Sequence, residues 1–367
     1  MASAGQSRSS GSAHHADEKA RRVALVAGAN GLIGRHLIVH LVRRGWDVIA
    51  LSRKPSAGIA VRTVAVDLAD AADARAKAAA LSGVTHVFYC ARADHPEGVP
   101  ESESLNAAML RNLIDAVEPV APRLAHVNLV HGTKYYGHHL GPCEVPAVEG
   151  GPRGKGGTFY FAQQDFVTER AAARGWSWSI VRPHAFCYTE MDSPRSLVLV
   201  IAVLAAIQRE LGEPLFYPGT AKSHEAVTQF TDLGLLTRGI EWMASAPECA
   251  SQAFNVVNGD YPKWSALWPQ LAALLGLEAA PPRAVSLPQY MADKGPVWDA
   301  VVKKHGLEPK ALDRIVLWRY ADYVFAPQWD IMSSMEKARR FGFHERVDTR
   351  EMFSRLFEGY RAQRAIP

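Results

Sequence analysis

Val23 to Gly34 read VALVAGANGLIG. An apolar run stops at Gly28, and glycines return at positions 31 and 34. This is the pattern of a strand, a tight turn and the start of a helix. Gly28 permits the turn, Gly31 lets backbone approach a phosphate, and Gly34 lets the helix pack close to the sheet. The exposed N–H groups and the dipole at such a helix start favour negative charge, so the expected occupant is a dinucleotide pyrophosphate. A glycine triplet alone is a weak signal; its place directly after an apolar strand gives it weight.

The following strand carries the choice of dinucleotide. Trp46 to Leu51 (WDVIAL) reads as that strand, and Ser52, Arg53 and Lys54 come next. An acid at this point would accept hydrogen bonds from the adenosine ribose. None is present, and Asp47 is at the wrong end of the strand. Arg53 and Lys54 instead offer charge to a 2′-phosphate, which points to NADPH/NADP+. The competing reading is a solvated loop pair. Asp67, at the end of VRTVAVD, either receives the adenine amino group or caps the next helix. The expected cofactor contacts are Gly28, Asn30, Gly31, Leu32, Ile33, Gly34, Ser52, Arg53, Lys54, Asp67, Leu68 and Cys90.

Outward from this core, residues 23–27, 46–51 and 61–66 read as the first three strands. Val84–Cys90, Leu124–Val130 and Ser177–Val181 read as the fourth, fifth and sixth. Helices are expected from Leu32 to Arg44, across the Ala-rich segment 69–81 and from Asn106 to Val117. Alternation at this spacing means βαβ units and a parallel sheet. The fold class is α/β: a Rossmann-like doubly wound parallel sheet with a smaller, mostly helical C-terminal substrate-binding region. Residues 1–20 read as a disordered tail and 21–183 as the NADP-binding core. Residues 184–367 read mainly as a cap, with some segments returning to the core. The loop at 137–157 is rich in Gly and Pro and long for a simple connection, which suggests a substrate-side function. Ser196–Ile207 (SLVLVIAVLAAI) is too short to span a membrane and reads as a buried helix.

Composition narrows the class further. The 367 residues suffice for a nucleotide-binding core plus a smaller region, and 48% are hydrophobic. A net charge of +4 with scattered basic residues points to neither a nucleic-acid nor a membrane surface. The four cysteines, Cys90, Cys143, Cys187 and Cys249, are far apart and suggest neither a metal pair nor a disulfide framework. No metal site is expected; His14 and His15 are a lone pair in the tail. The first twenty residues lack the apolar run of a secretory signal, so a cytoplasmic protein is expected. A homodimer stays open.

Two side chains stand where sheet elements end. Lys134 follows the fifth strand in HGTKYYG, and Tyr160 opens the helical segment TFYFAQQDFVTERAA. A nicotinamide reductase needs an acid beside the reacting oxygen and a cation to stabilise its anion. Tyrosine supplies the first and lysine the second, and lysine also holds the nicotinamide ribose. The Tyr-x-x-x-Lys spacing of short-chain dehydrogenases is broken, because Gln164 stands four residues after Tyr160. Either the chain is a degenerate member with no redox function, or the lysine comes from elsewhere, with Lys134 the obvious donor. Tyr135 and Tyr136 compete as acids, and Asp165 is a secondary candidate that reads more simply as a helix-face residue.

With these segments in place, the chain resembles the progesterone 5β-reductase/iridoid synthase family, an atypical extended branch of the short-chain dehydrogenases. VAGANGLIG with LSRKP resembles its cofactor motif, VTHVFYC its fourth strand and NAAMLRNLIDAV the helix after it. GTKYYG resembles the loop with the displaced lysine, here Lys134, and GGTFYFAQQDFV the segment with the catalytic tyrosine, here Tyr160. WSWSIVRPHAFCY and AFNVVNGDYPKW resemble later segments, so the likeness covers most of residues 23–265. Phe161 stands where many relatives have a second Tyr, and His131 precedes GTK where relatives often differ. Cys90, Ala91 and Arg92 replace a bulkier stretch of the plant members.

The resemblance implies an NADPH-dependent reduction of an activated C=C bond in a small apolar enone or enal. Hydride would reach the β-carbon, and Tyr160 with Lys134 would hold the enolate oxygen. The same pair would serve aldehyde or ketone reduction in another substrate pose. A nucleotide-sugar epimerase/dehydratase, and a non-catalytic NADPH-binding regulator, are the more distant alternatives.

Overall fold

The computed structural model of the protein describes residues 22–55, 60–93, 95 and 99–367. The expected tail at 1–20, with His14 and His15, lies outside the described residues. The chain forms two compact units, Met1–Leu129 with Ala162–Ser179, and Val130–Phe161 with Ile180–Pro367.

The first unit contains β1 (Val23–Ala27), β2 (Asp47–Ser52), β3 (Arg62–Ala65), β4 (His86–Tyr89) and most of β5 (His126–Val130). β1 runs parallel to β2 and to β4, β2 to β3, and β4 to β5. Ala24 to Ala27 are fully buried, as a central parallel strand with both faces covered requires. The helix Leu32–Arg43 buries Gly34, Leu37, Ile38 and Leu41, a three-to-four-residue repeat that makes one apolar stripe. The Ala-rich segment is two elements rather than one helix: Ala71–Ala76 is α-helical and Ala78–Leu81 is a 3₁₀ turn. Its cap is Asp70, which accepts from the N–H groups of Ala72 and Asp73.

β6 (Ser177–Arg182) passes from the first unit into the second, where the short strands β7 (Phe186–Cys187), β8 (Leu215–Phe216), β9 (Thr231–Asp232), β10 (Gln252–Asn255) and β11 (Ala279–Ala280) follow. The main sheet has the order β10-β6-β5-β4-β1-β2-β3, a doubly wound arrangement that reverses between β1 and β4. β10 was not anticipated as a strand. Its four residues, QAFN, are too few to show a period of two.

The second unit is built on the helix Leu197–Glu210, capped by Ser196. Every residue from Leu197 to Gln208 is buried, so the helix is a core element apolar on all sides. Trp268, Trp298, Phe325, Phe353, Phe357 and Tyr360 pack around it. Trp264 and Trp318 are also buried, so the aromatic density of this half is chiefly core. Among the described residues no helix is long and apolar enough to cross a membrane.

Candidate active site

The glycine turn of the first unit is shaped by backbone. The N–H groups of Gly28 and Ala29 both donate to the Leu51 carbonyl, at 3.0 and 3.1 Å, and Gly31 N–H donates to Gly28 O at 2.9 Å. Gly28 has φ +81°, and a Cβ there would lie 2.8 Å from the backbone of Cys90 and Ala91. A Cβ on Gly34 would lie 2.2 Å from Gly28 O. The two glycines therefore let turn, helix and the end of β4 meet backbone to backbone.

The helix that starts here lacks a side-chain cap at Gly31 and carries no acid in its first turn. By contrast, Asp70 and Ser102 cap the helices Ala71–Ala76 and Glu103–Val117. A helix start left open in this way suits an anionic ligand. Asn30 Nδ2 donates to Lys54 O at 2.8 Å, and Ser52 Oγ donates to the same carbonyl at 2.5 Å. These two residues thus shape the basic loop, and Arg53 and Lys54 are exposed on it. Gly31, Leu32 and Ile33 open the helix at the turn.

Asp67 does not cap the next helix. Its Oδ1 accepts from Ala69 N–H at 3.0 Å, and its own N–H donates to Asp73. Leu68 is buried, and its carbonyl accepts from Asn112. Burial pushes the Cys90 thiol up to about 12, so it stays protonated. These residues and the open helix start fit a dinucleotide.

Lys134 and Tyr160 belong to the second unit. Lys134 lies on the 3₁₀ turn Thr133–Tyr136, and Tyr160 is the second residue of the helix Phe159–Arg174. Both are half-buried. The imidazole of His131 stacks on the Tyr160 ring, with centroids 4.4 Å apart and planes 16° from parallel. The Tyr160 hydroxyl lies over Gly132, where an added Cβ would be 3.4 Å away. Tyr160 thus sits on the dipeptide that leads into the Lys134 turn. Thr133 N–H donates to Pro183 O at 3.2 Å, and Thr133 Oγ1 bonds His184 Nδ1. Burial, then His138, lowers His184 to about 3, so the ring is neutral.

Tyr135 and Tyr136 are engaged elsewhere. Tyr136 Oη donates to Asn255 Oδ1 at 2.6 Å and accepts from Arg182 at 3.1 Å. Burial pushes it up to about 12, although Arg182 pulls the other way. Tyr135 is buried, with the Arg182 guanidinium 3.4 Å from its ring centroid and Phe161 at its edge. Arg182 is fully buried and also donates to Glu149 O at 3.2 Å. The long loop at 137–157 is held by the same group: Glu149 accepts from Asn255 N–H, and Ala147 exchanges backbone bonds with Met332 and Ser334. Gln164 and Asp165 lie farther along the helix, in the first unit.

Sequence reasoning missed Arg182 and the Thr133–His184 bond. No local signal announces them, since each acts through a partner distant in the chain. His131 was noticeable as an unusual residue before GTK, but without a role.

A family model described as PRISE-like Rossmann-fold domain matches residues 56–367. The chain belongs to that family. It is 34% identical over 365 residues to an (S)-8-oxocitronellyl enol synthase of Antirrhinum majus, covering 94% of this chain and 93% of the relative. It is 31% identical over 366 residues, with the same coverage, to a 3-oxo-Delta(4,5)-steroid 5-beta-reductase of Arabidopsis thaliana. Among solved structures, a short-chain dehydrogenase/reductase superfamily protein of Agrobacterium tumefaciens with bound NAD aligns at a TM-score of 0.67 and 17% identity, covering 93% of this chain and 98% of that one. That last likeness is one of fold. At family level, this PRISE-like protein is an NADPH-dependent oxidoreductase of the short-chain dehydrogenase/reductase type, acting on C=C or carbonyl substrates.

Proposed function

We propose that this PRISE-like protein carries out the 1,4-reduction of small apolar enones or enals, with Tyr160 as the acid and Lys134 as its cationic partner. The observation that carries this reading is the division of labour among three tyrosines. Tyr135 and Tyr136 are buried in the Arg182 group, whereas Tyr160 is half-buried beside the turn that bears Lys134. The broken Tyr-x-x-x-Lys spacing counts against an epimerase, and the relatives named for enol synthesis and 5β-reduction favour conjugate chemistry.

Gly28, Gly31, Gly34 and the helix start would hold the pyrophosphate, with Arg53 and then Lys54 on the 2′-phosphate. When bound, NADPH supplies the hydride. Tyr160 donates its hydroxyl to the substrate carbonyl oxygen and stabilises the negative charge that grows there as the β-carbon is reduced. Lys134 places positive charge near that anion and near the ribose. Protonation at the α-carbon by solvent completes the saturated product. Residues 184–367 supply most of the substrate's surroundings.

Incubation with NADPH and 2-cyclohexenone, followed by product analysis, tests the reading. Saturated ketone is expected, and allylic alcohol alone would replace conjugate reduction with carbonyl reduction. Tight NADPH binding without turnover across a broad enone and aldehyde screen would favour a regulator. Tyr160→Phe should lower the rate roughly 10²-fold while NADPH affinity stays unchanged.

A further inference from the structure

We propose that His131 is the positioning residue for Tyr160: its imidazole, stacked on the phenol ring, fixes where the hydroxyl is presented. The inference rests on the reading of Tyr160 as the acid. It goes beyond that reading by assigning a third side chain to the site.

Tyr160 stands at the start of a helix and follows a glycine-rich stretch, Gly150 to Gly157. Its backbone therefore leaves side-chain freedom that something else must remove. A phenol hydroxyl lies far from its Cβ, so a modest turn about the side-chain torsions sweeps the oxygen through several bond lengths. Two rings limit that sweep. Phe159 meets the Tyr160 ring edge-on at 4.6 Å, and His131 covers its face at 4.4 Å. Of the two, only His131 is anchored outside the helix.

His131 directly follows β5, is 4% exposed, and donates its N–H to Val181 O at 2.9 Å. Thr133 N–H then reaches Pro183 O, so the chain on either side of Gly132 is tied to β6 and to the residue after it. The backbone that carries the ring is thereby tied to the sheet, and the ring itself is buried. Because His131, Gly132 and Lys134 share one short turn, the stack sets the Tyr160 hydroxyl in register with the lysine. Imidazole is well suited to this: it is flat, small enough for the end of a strand, and presents a full aromatic face.

The test uses the full chain in five forms: wild type, His131→Ala, His131→Phe, Tyr160→Phe and the double variant His131→Ala/Tyr160→Phe. Loss of the ring face should lower kcat about tenfold, with the KM for NADPH unchanged, and phenylalanine should restore most of it. In a Tyr160→Phe background, His131→Ala should add little, because the hydroxyl it positions is gone. Independent, multiplicative losses would overturn the proposal, as would an alanine variant as active as wild type.

A readout free of catalysis separates the stack from the reaction. In protein carrying ¹³C-labelled tyrosine rings, the signals lost in Tyr160→Phe identify Tyr160. They should lie upfield, move in His131→Ala and stay in place in His131→Phe. Unmoved signals in His131→Ala would overturn the proposal whatever the enzyme does. Full activity of Tyr160→Phe would instead overturn the acid assignment, and the catalytic meaning of the stack with it. Should the alanine variant not fold, His131→Leu removes the aromatic face and keeps the volume.

Discussion

Two turns bear the residues of the proposed site, and each follows a strand of the same sheet. The turn after β1 is held by the backbone of its near neighbours: Gly28 and Ala29 on Leu51, and Gly31 on Gly28. The turn after β5 is held by side chains from far along the chain. Tyr136 reaches Asn255, Arg182 reaches Tyr136 and the Glu149 carbonyl, and Thr133 reaches His184. A backbone-built site needs only residues that stay out of the way, so glycine marks it. A site built from side chains has no local mark, because its parts meet only after folding.

The sharpest way to break this comparison is to fill the space that the first turn leaves empty. Gly34→Val places branched carbon where even a Cβ is 2.2 Å from Gly28 O. No rotamer avoids that contact, since the clash is with backbone. NADPH affinity should fall at least 100-fold, or the first unit should fail to fold; isothermal titration and thermal denaturation separate the two. A variant that binds normally would mean the glycine is incidental to the cradle.

The second turn should instead break at a distance. Arg182→Ala removes a fully buried guanidinium from under Tyr135 and leaves Tyr136 and the Glu149 carbonyl without its hydrogen bonds. The expected loss is about 3 kcal/mol of stability from the cavity and the abandoned partners. Urea unfolding measures it. Tyr136→Phe, which keeps the ring, should cost less than Arg182→Ala and leave turnover per folded molecule nearly unchanged. A dead Tyr136→Phe enzyme beside an active Tyr160→Phe enzyme would reverse the assignment of the acid.

The same contrast explains what could be read in advance. Strands β1 to β6 and the glycine turn were legible because a buried parallel strand is a short apolar run and a tight strand-to-helix turn needs glycine. Of the two readings of Asp67, the helix cap falls instead to Asp70, three residues on, because either spacing is compatible with a first turn. Lys134 and Tyr160 were singled out by resemblance and by the end of a strand. What divides Tyr160 from Tyr135 and Tyr136 is burial beneath Arg182, which no spacing in GTKYYG reveals.

A smaller effect sharpens the first turn's role in cofactor choice. Arg53 lies exposed on the loop that Asn30 and Ser52 hold through the Lys54 carbonyl. Arg53→Ala should weaken NADPH about tenfold and leave NADH nearly untouched, because only the former has a 2′-phosphate for the guanidinium. Asn30→Ala should shift the same ratio more weakly by loosening the loop. Equal affinities for both cofactors in the wild type would remove the basis of the assignment.

The smallest effect compares the units through their buried histidines. In the first unit, His126 bonds Ser177 through Nδ1 and Ser179 through Nε2, each at 2.7 Å. Burial, and then His86, lowers it to about 3. In the second unit, burial and then His139 lower His138 to about 4. An unfolded histidine protonates near 6.5, so between that value and the folded one the unfolded chain binds more protons. Stability is therefore complete above about pH 6.5 and falls as the pH drops, by up to roughly 1.4 kcal/mol per pH unit for each such group. At pH 6 one histidine accounts for just under about 1 kcal/mol. His126→Gln should flatten the decline by one proton's worth and leave the His138 contribution in place. Urea midpoints between pH 7 and 5 measure the slope, and a slope unchanged by His126→Gln would mean that His126 titrates alike in the folded strand and the unfolded chain.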